Sequence, residues 1–179
     1  MDLLPKELWI SILSNLTLSE LILIERVNLE IKEIVRTTPW SHFFVTLCKL
    51  ITIQFVIRNY HFMRYKLRNA TDNEVSLLGG CHTLDLANCC NITDNSVSLL
   101  GGCHNLRLCI CDLLTDKSIR KLKNCNYLSL PGCSKITDTS ILKLTKCREL
   151  YVYSCPLVTK RTINILKQNG CDVQSFICF

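Results

Sequence analysis

The sequence predicts an α/β fold in which three N-terminal helices are followed by a short solenoid with a parallel sheet on its concave face. The first observation is a repeat of fixed length that begins at Thr71 and continues to Gln168. The second is that each repeat has a helical half and a strand-like half. The third is the helical spacing of apolar residues before the repeats. These features together predict a helical module joined to stacked strand–helix units.

The repeat has a period of 22 residues and no insertions. Each row begins with a threonine, and these threonines are Thr71, Thr93, Thr115, Thr137 and Thr159. Two columns of cysteines run through the rows, namely Cys81, Cys103, Cys125 and Cys147, and then Cys89, Cys111, Cys133 and Cys155. A fixed period of this length indicates a solenoid.

The two halves of a row predict different structures. The first half reads Thr-Asp-x-x-(Val/Ile)-x-x-Leu, in which Thr or Asp is a natural N-cap and the apolar residues share one helical face. In the first row, Thr71 and Glu74 have the spacing of a capping box. The second half reads Cys-x-x-Leu-x-Leu-x-x-Cys, whose alternation indicates a short strand. A strand and a short helix in about 22 residues is the leucine-rich-repeat unit.

One variant of that repeat matches the cysteine columns. The segment Cys-His-Thr-Leu-Asp-Leu-Ala-Asn-Cys at 81–89, with Asn-Ile-Thr-Asp after it, resembles the cysteine-containing leucine-rich repeat that is common in F-box proteins. The resemblance implies that the column cysteines are small buried thiols. Because these rows are shorter than the usual repeat of that variant, we expect helices of one to two turns.

The cysteines also bear on the cellular compartment. Eight of the 13 lie in the two columns, and the others are Cys48, Cys90, Cys109, Cys171 and Cys178. The start of the sequence lacks the pattern of a secretory signal, and no apolar run reaches membrane-spanning length. We therefore expect reduced cysteines and an intracellular location, cytoplasmic or nuclear.

The sequence of residues 1–47 predicts three helices. Leu8, Ile12 and Leu16 lie four residues apart on one face of the first helix. The sequence Thr17-Leu18-Ser19-Glu20 is a capping box that starts the second. A third helix is expected from about Leu29 to Val35, before Pro39.

These residues resemble an F-box. The pattern Leu4-Pro5-x-Glu7-Leu8-x-x-x-Ile12-x-x-x-Leu16 follows the opening of that motif, and Ser19-Glu20-Leu21 and Pro39-Trp40 are also similar. The resemblance implies docking on the Skp-type adaptor of a cullin–RING ubiquitin ligase. The implied adaptor contacts are Leu4, Pro5, Leu8, Ile12 and Leu16. The alternative is that these residues only pack the three helices together.

The segments that flank the regular rows are less regular. We predict an irregular capping segment at 48–70 between the F-box at 1–47 and the repeats at 71–179. Within this region, Ile51 to Phe55 alternates like a strand, and Phe43 to Leu50 is compatible with a helix. A step of 22 residues back from Leu84 and from Cys89 leads to Phe62 and Leu67, and neither carries the full pattern of the rows. The last row loses the pattern at 160–173 and ends in Phe176 and Phe179, as expected of a degenerate terminal repeat.

The concave face is the predicted site for a protein substrate. Residues that flank the strand leucines point away from the core. Tyrosine and arginine are typical interface anchors. The candidates are Arg107, Tyr127, Glu149, Tyr151 and Tyr153. The alternative is that these are ordinary exposed side chains.

Charge and chemistry exclude other classes of function. The net charge of +6 comes mainly from lysines and arginines after residue 116, which are interpreted either as the solvated outer face or as a surface for an acidic partner. Nucleic-acid binding would require a compact basic patch with stacking aromatic side chains, and the sequence does not establish one. The pairs Cys81-His82 and Cys103-His104 lie in the repeat columns, where successive copies do not converge on a tetrahedral metal. No catalytic set or phosphate-binding motif is present, so we expect neither an enzyme nor a cofactor.

Three functions fit these observations. The preferred one is the substrate-recognition subunit of a Skp–cullin–F-box ubiquitin ligase, with the adaptor on the helices and an unknown protein substrate on the repeats. The second is a leucine-rich-repeat binding module whose helices are only a cap. The third is a decoy that occupies the adaptor without delivering a substrate.

Overall fold

The computed structural model describes residues 4–47 and 50–175, so Cys48, Cys178, Phe176 and Phe179 lie outside the described residues. Three helices come first, at Lys6–Leu13 (α1), Leu18–Ile24 (α2) and Leu29–Thr37 (α3). The predicted capping box starts α2, where the backbone N–H of Glu20 donates to the side chain of Thr17. Asn28 caps α3 by accepting from the N–H of Ile31 at 2.8 Å.

A seven-stranded parallel sheet follows, with its strands in chain order. The strands are Pro39–Leu47 (β1), His61–Leu67 (β2), Thr83–Asp85 (β3), Asn105–Arg107 (β4), Tyr127–Ser129 (β5), Glu149–Tyr151 (β6) and Asp172–Gln174 (β7). Leu84, Leu106, Leu128 and Leu150 pair in register and are buried. The predicted alternation therefore places the leucines beneath the sheet.

Helices connect the strands. They are Leu50–Asn59 (α4), Asp72–Val75 (α5), Asp94–Val97 (α6), Asp116–Ile119 (α7), Asp138–Ile141 (α8) and Lys160–Gln168 (α9). A 3₁₀ turn at Ser76–Leu78 extends α5. The four-residue helices α5 to α8 are about one turn long, in agreement with the short rows. The described residues therefore form an α/β repeat solenoid, and none of their helices has the length and apolar character needed to cross a membrane.

The structure reverses the prediction for residues 43–55. The stretch expected to be helical at Phe43–Leu50 lies mostly in β1, and the stretch expected to be a strand at Ile51–Phe55 lies in α4. Within β1, Val45 and Leu47 are buried while the residue between them is exposed. The alternation typical of a strand therefore occurs in β1. In α4, Ile53 and the residue three positions later are buried, which is helical spacing.

The step from Tyr65 on β2 to Leu84 on β3 is 19 residues, which is shorter than the period of the rows. Tyr65, rather than Phe62, pairs with Leu84, and Phe62 pairs with Trp40. At the other end, Val173 pairs with Leu150, so the degenerate last row still adds a strand.

One continuous cluster of buried apolar side chains joins the helices to the sheet, from Leu13 in α1 to Val173 in β7. Trp40 is fully buried where the two parts meet, and its Nε1 donates to the carbonyl oxygen of Val35 at 2.9 Å. Glu25 after α2 and Arg36 in α3 form two charge-assisted hydrogen bonds of 3.1 Å. The helices and the solenoid therefore share a core.

Candidate protein-binding site

A ladder of aspartates sets the spacing of the repeats that carry the concave face. Asp94 accepts from the N–H of Thr115 in the next row at 3.0 Å, and also from the hydroxyls of Thr115 and Ser118. The same backbone and hydroxyl bonds to the next threonine join Asp72 to Thr93, Asp116 to Thr137 and Asp138 to Thr159. Each aspartate begins its own helix and also orients the start of the next.

The hydrogen bonds of the ladder favour ionised aspartates. Partial burial raises the pKa of the Asp94 carboxyl, but the hydrogen bonds from Ser118 and Thr115 prevail and hold it below its ordinary value. The same balance lowers the pKa of Asp72, Asp116 and Asp138. Sequence reasoning assigned these residues to helix capping alone. The sequence signal for the bonds between rows was the column of serines at positions 96, 118 and 140. All three are buried in the structure.

The column cysteines lie behind the face rather than on it. All eight are buried free thiols, as the resemblance implied. Burial raises the pKa of Cys125 and Cys133 to about 12, so both are protonated at neutral pH. His82 and His104 stack with their ring centroids 4.6 Å apart. No group of three or more metal-ligating side chains occurs within residues 4–47 and 50–175.

A groove of about 420 Å³ lies on the concave face. Three of the predicted substrate residues, Arg107, Tyr127 and Glu149, line it. The remaining lining residues are Phe44, Arg64, Thr83, Leu84, Asp85, Asn105 and Leu106. Phe44 and Arg64 were missed because they precede the regular rows, and their register became evident only when β1 and β2 joined the sheet.

The tyrosines form a cluster beside this groove. The ring of Tyr151 lies 5.4 Å from that of Tyr127 and 6.1 Å from that of Tyr153, measured between centroids. All three are partly exposed. The structure thus brings the three predicted tyrosines together on adjacent strands and their flanking loop, with Glu149 paired opposite Tyr127.

Charged side chains continue along the face toward the helices. The carboxylate of Asp85 lies 3.5 Å from Lys66 Nζ and 3.7 Å from Arg107 Nη1. The guanidinium of Arg64 lies 5.5 Å from the ring centre of Phe44, in cation–π contact. Cys109 is buried and accepts a hydrogen bond from Arg107 Nε. The face therefore offers cations, aromatic rings and carboxylates in sequence.

A second candidate surface lies on the N-terminal helices. Leu4, Pro5, Leu8 and Ile12 are exposed, whereas Leu16 is half-buried and packs against the core. Sequence reasoning missed further apolar exposure at the ends of the next two helices. These exposed residues are Leu23, Val27 and Leu29.

The fold is similar to that of a chain in the crystal structure of the Rad7 and Elc1 complex in yeast, with a TM-score of 0.55 and 17% sequence identity. The similarity covers 64% of this chain and 33% of the matched chain, so this chain corresponds to a minor part of that protein's length. No model of a protein family matches the chain, and no curated protein matches its sequence. The structural similarity shows a shared fold.

Proposed function

We propose that this chain is the substrate-binding subunit of a Skp–cullin–F-box ubiquitin ligase. Helices α1 to α3 act as an F-box that binds a Skp-type adaptor, and leucine-rich repeats bind a protein substrate on their concave face. Holding both partners on one chain raises the effective concentration of the substrate near the transferred ubiquitin. The observation that carries the proposal is the exposed apolar face of α1.

That face has the spacing of a helix that docks on a partner. Leu8 and Ile12 are four residues apart in α1, so they lie along one side of the helix, and Leu4 is exposed just before it. Leu8 is 50% exposed and Ile12 48% exposed, while Leu13 on the same helix is completely buried. A monomeric protein rarely leaves such side chains in a contiguous solvent-facing patch, because burying each gains about 1.5–3 kcal/mol. A hydrophobic partner surface explains their exposure.

The comparison adds independent support. The matched structure is a complex of two proteins, Rad7 and Elc1, and its fold is shared with this chain although few residues are identical. An adaptor partner for the present chain is consistent with that assembly and with the F-box-like spacing of Leu4, Pro5 and Leu8. The tyrosine cluster and the groove on the repeats leave a separate surface for the substrate.

Capture of a purified Skp-type adaptor by the full chain tests the proposal. We expect Leu8→Asp with Ile12→Asp to reduce capture about ten-fold or more, since a charge at a buried apolar contact is not solvated. Leu157→Asp is the matched control, because Leu157 is 51% exposed but lies in the last rows. Both proteins should show the same far-UV circular dichroism.

Two outcomes would favour other functions. Unchanged capture in the Leu8 and Ile12 variant would leave a repeat-only binding module. If the adaptor binds but a reconstituted ligase transfers no ubiquitin to any protein held by the repeats, the chain acts as an adaptor decoy. In the preferred function, Tyr151→Ala with Tyr153→Ala lowers substrate ubiquitylation and spares the adaptor.

A further inference from the structure

The concave face carries opposite charges at its two ends. Arg64 and Lys66 lie on β2 and Arg107 lies on β4. Glu149 lies on β6, where it pairs in register with Asp172 on β7. Tyr127 and the other two tyrosines of the cluster lie between these ends or beside the acidic one. The face is thus a row of cations, then aromatic rings, then carboxylates.

The basic end has more cations than its carboxylate can neutralise. A groove of about 330 Å³ is lined there by Lys66, Arg68, Asn69, Asp85, Ala87, Asn88 and Arg107. The Asp85 side chain is only 13% exposed, whereas those of Lys66 and Arg107 are 36% and 52% exposed. One partly buried carboxylate shared by two more exposed cations leaves net positive charge at the surface. The amide groups of the two asparagines can add hydrogen-bond donors. This chemistry fits a carboxylate or phosphate of a ligand.

The acidic end has the reverse character. Glu149 and Asp172 are both exposed, and within the described ranges neither lies at ion-pair distance from a cation. The amide of Gln174 donates a hydrogen bond to Asp172 at 3.0 Å. A lysine or arginine of a ligand would therefore find an unpaired carboxylate here.

We infer that the concave face binds an extended segment of the substrate that carries acidic or phosphorylated residues at one end, basic residues at the other and apolar residues between them. The inference rests on the proposed function of the repeats as a substrate-binding surface. The acidic group of the segment contacts Arg64, Lys66 and Arg107. The basic group contacts Glu149 and Asp172, and the apolar residues pack on the tyrosines.

The sheet sets the spacing of the two charged groups. Arg64 and Glu149 lie on one register line that passes through Thr83, Asn105 and Tyr127. Four steps between parallel strands of about 4.8 Å each give roughly 19 Å. An extended chain that crosses the strands advances about 3.3 Å per residue, so the charged groups should be about six residues apart.

The acidic end also separates this inference from nucleic-acid binding. A single strand would gain from the cations and the tyrosine rings. Its phosphates would, however, be repelled by Glu149 and Asp172, and by the partly buried Asp85 within the basic end. A segment with charges of both signs meets attraction along the whole face.

Fluorescence anisotropy with labelled synthetic peptides and the full chain tests the inference. The probe is a peptide with two aspartates and two lysines placed six residues apart around a Pro-Leu-Leu-Pro core. Matched peptides of the same composition have the charges interleaved or two residues apart, and a longer peptide with the core repeated has them ten residues apart. We expect the six-residue spacing to bind at least five-fold more tightly than the others.

Variants then assign the two ends. Arg64→Glu with Arg107→Glu should weaken the probe about ten-fold, and Glu149→Lys with Asp172→Lys should do the same. Replacing the probe's lysines by glutamates should restore binding to the second variant. Lys121→Glu with Lys123→Glu, two exposed changes outside the groove, should leave binding unchanged and matches the net charge of the first variant.

Three results would overturn the inference. These are equal binding of the interleaved peptide, no effect of either charge reversal, and tighter binding of a labelled oligothymidylate at the same site. If no peptide binds while the adaptor is still captured and Tyr151→Ala with Tyr153→Ala lowers ubiquitylation, the proposed function stands and only this ligand class is wrong. If ubiquitylation does not depend on the adaptor, the proposed function itself fails.

Discussion

The helices and the repeats satisfy their polar groups in different ways. The caps of α2 and α3 are local, because Thr17 and Asn28 each accept from a backbone N–H three residues later. In the repeats, Asp94 accepts from Thr115, which is 21 residues away in the next row. The caps of α2 and α3 are therefore completed within their own sequence, whereas helices α6 to α8 combine a local threonine cap with hydrogen bonds between neighbouring rows.

This difference is reflected in what each region leaves exposed. The hydrogen bonds between rows and the buried leucines stabilise the stack itself, as expected of a solenoid whose units contact only their neighbours. The N-terminal helices leave Leu8 and Ile12 in solvent. The exposed apolar residues Leu8 and Ile12 thus share one helix, whereas those of the repeats, such as Leu99 and Leu157, lie in separate rows.

The largest expected effect is a core truncation in the stack compared with one on the exposed face. Leu128 is fully buried in the middle strand pairings, so Leu128→Ala should destabilise the protein by about 2–5 kcal/mol. Leu8→Ala should change the free energy of unfolding by less than about 0.5 kcal/mol, because the side chain is already half in solvent. Urea unfolding followed by circular dichroism measures both.

Equal losses from these two substitutions would break the comparison. They would mean that the leucine on α1 is part of the internal packing and is not an available surface. A small loss of unfolding free energy for Leu8→Ala together with reduced adaptor capture would support the comparison, since Leu8 would then matter for binding alone.

The next effect concerns the ladder. Asp94→Ala removes the acceptor for Thr115 and Ser118, and we expect a loss of about 2–3 kcal/mol because charge-assisted bonds to partly buried groups are lost. Asp112→Ala is the control. Asp112 is exposed and accepts a single hydrogen bond, from Ser134 at 3.0 Å. Its loss should stay within about 0.5 kcal/mol.

The ladder also predicts a pH dependence. The pKa of Asp94 is lower in the folded protein than the value of about 3.9 for an unfolded chain. The carboxylate therefore contributes stability above about pH 4, and this contribution is lost as the pH falls through the folded pKa. The difference in unfolding free energy between the native chain and Asp94→Ala should be constant from pH 5 to 7 and shrink toward pH 3. A difference that grows on acidification would contradict the ladder.

The regular rows made most of the solenoid predictable. A period without insertions places Leu84, Leu106 and Leu128 on successive strands, and the structure pairs them in register. The same period placed Tyr127, Tyr151 and Glu149 on one face, and the structure brings them together. Prediction succeeded where each residue has an equivalent one row away.

Prediction failed where this equivalence ends. Tyr65 lies 19 residues before Leu84, whereas a constant step of 22 residues leads to Phe62, which does not carry the pattern of the rows. The segment around Ile53 is apolar on several sides, and short apolar runs do not distinguish a strand from a helix. As a result, Phe44 and Arg64 could not be assigned to the concave groove from the sequence. Their place depends on strand pairings that the pattern does not encode.

The smallest expected effect is a gain at a strained position of the stack. Asn69, Asn88, Gly132 and Ser154 have positive φ at the turn after each strand, and Ile110 occupies the equivalent place with φ 57°. A β-branched residue is unfavourable there, whereas asparagine tolerates the left-handed region. Ile110 is exposed, so little burial is lost on replacement. Ile110→Asn should therefore stabilise the protein by about 1 kcal/mol.

Leu113→Asn is the matched control for this last change. Leu113 is also an exposed apolar residue, three positions later, and its φ is not positive. Its substitution should leave the free energy of unfolding within about 0.5 kcal/mol of the native value. Thermal and urea unfolding of the two variants decide the matter. If Ile110→Asn is destabilising, the packing of Ile110 against Gly132 contributes more stability than the backbone strain costs. Ile110 Cγ1 lies 3.4 Å from the position that a Cβ on Gly132 would occupy.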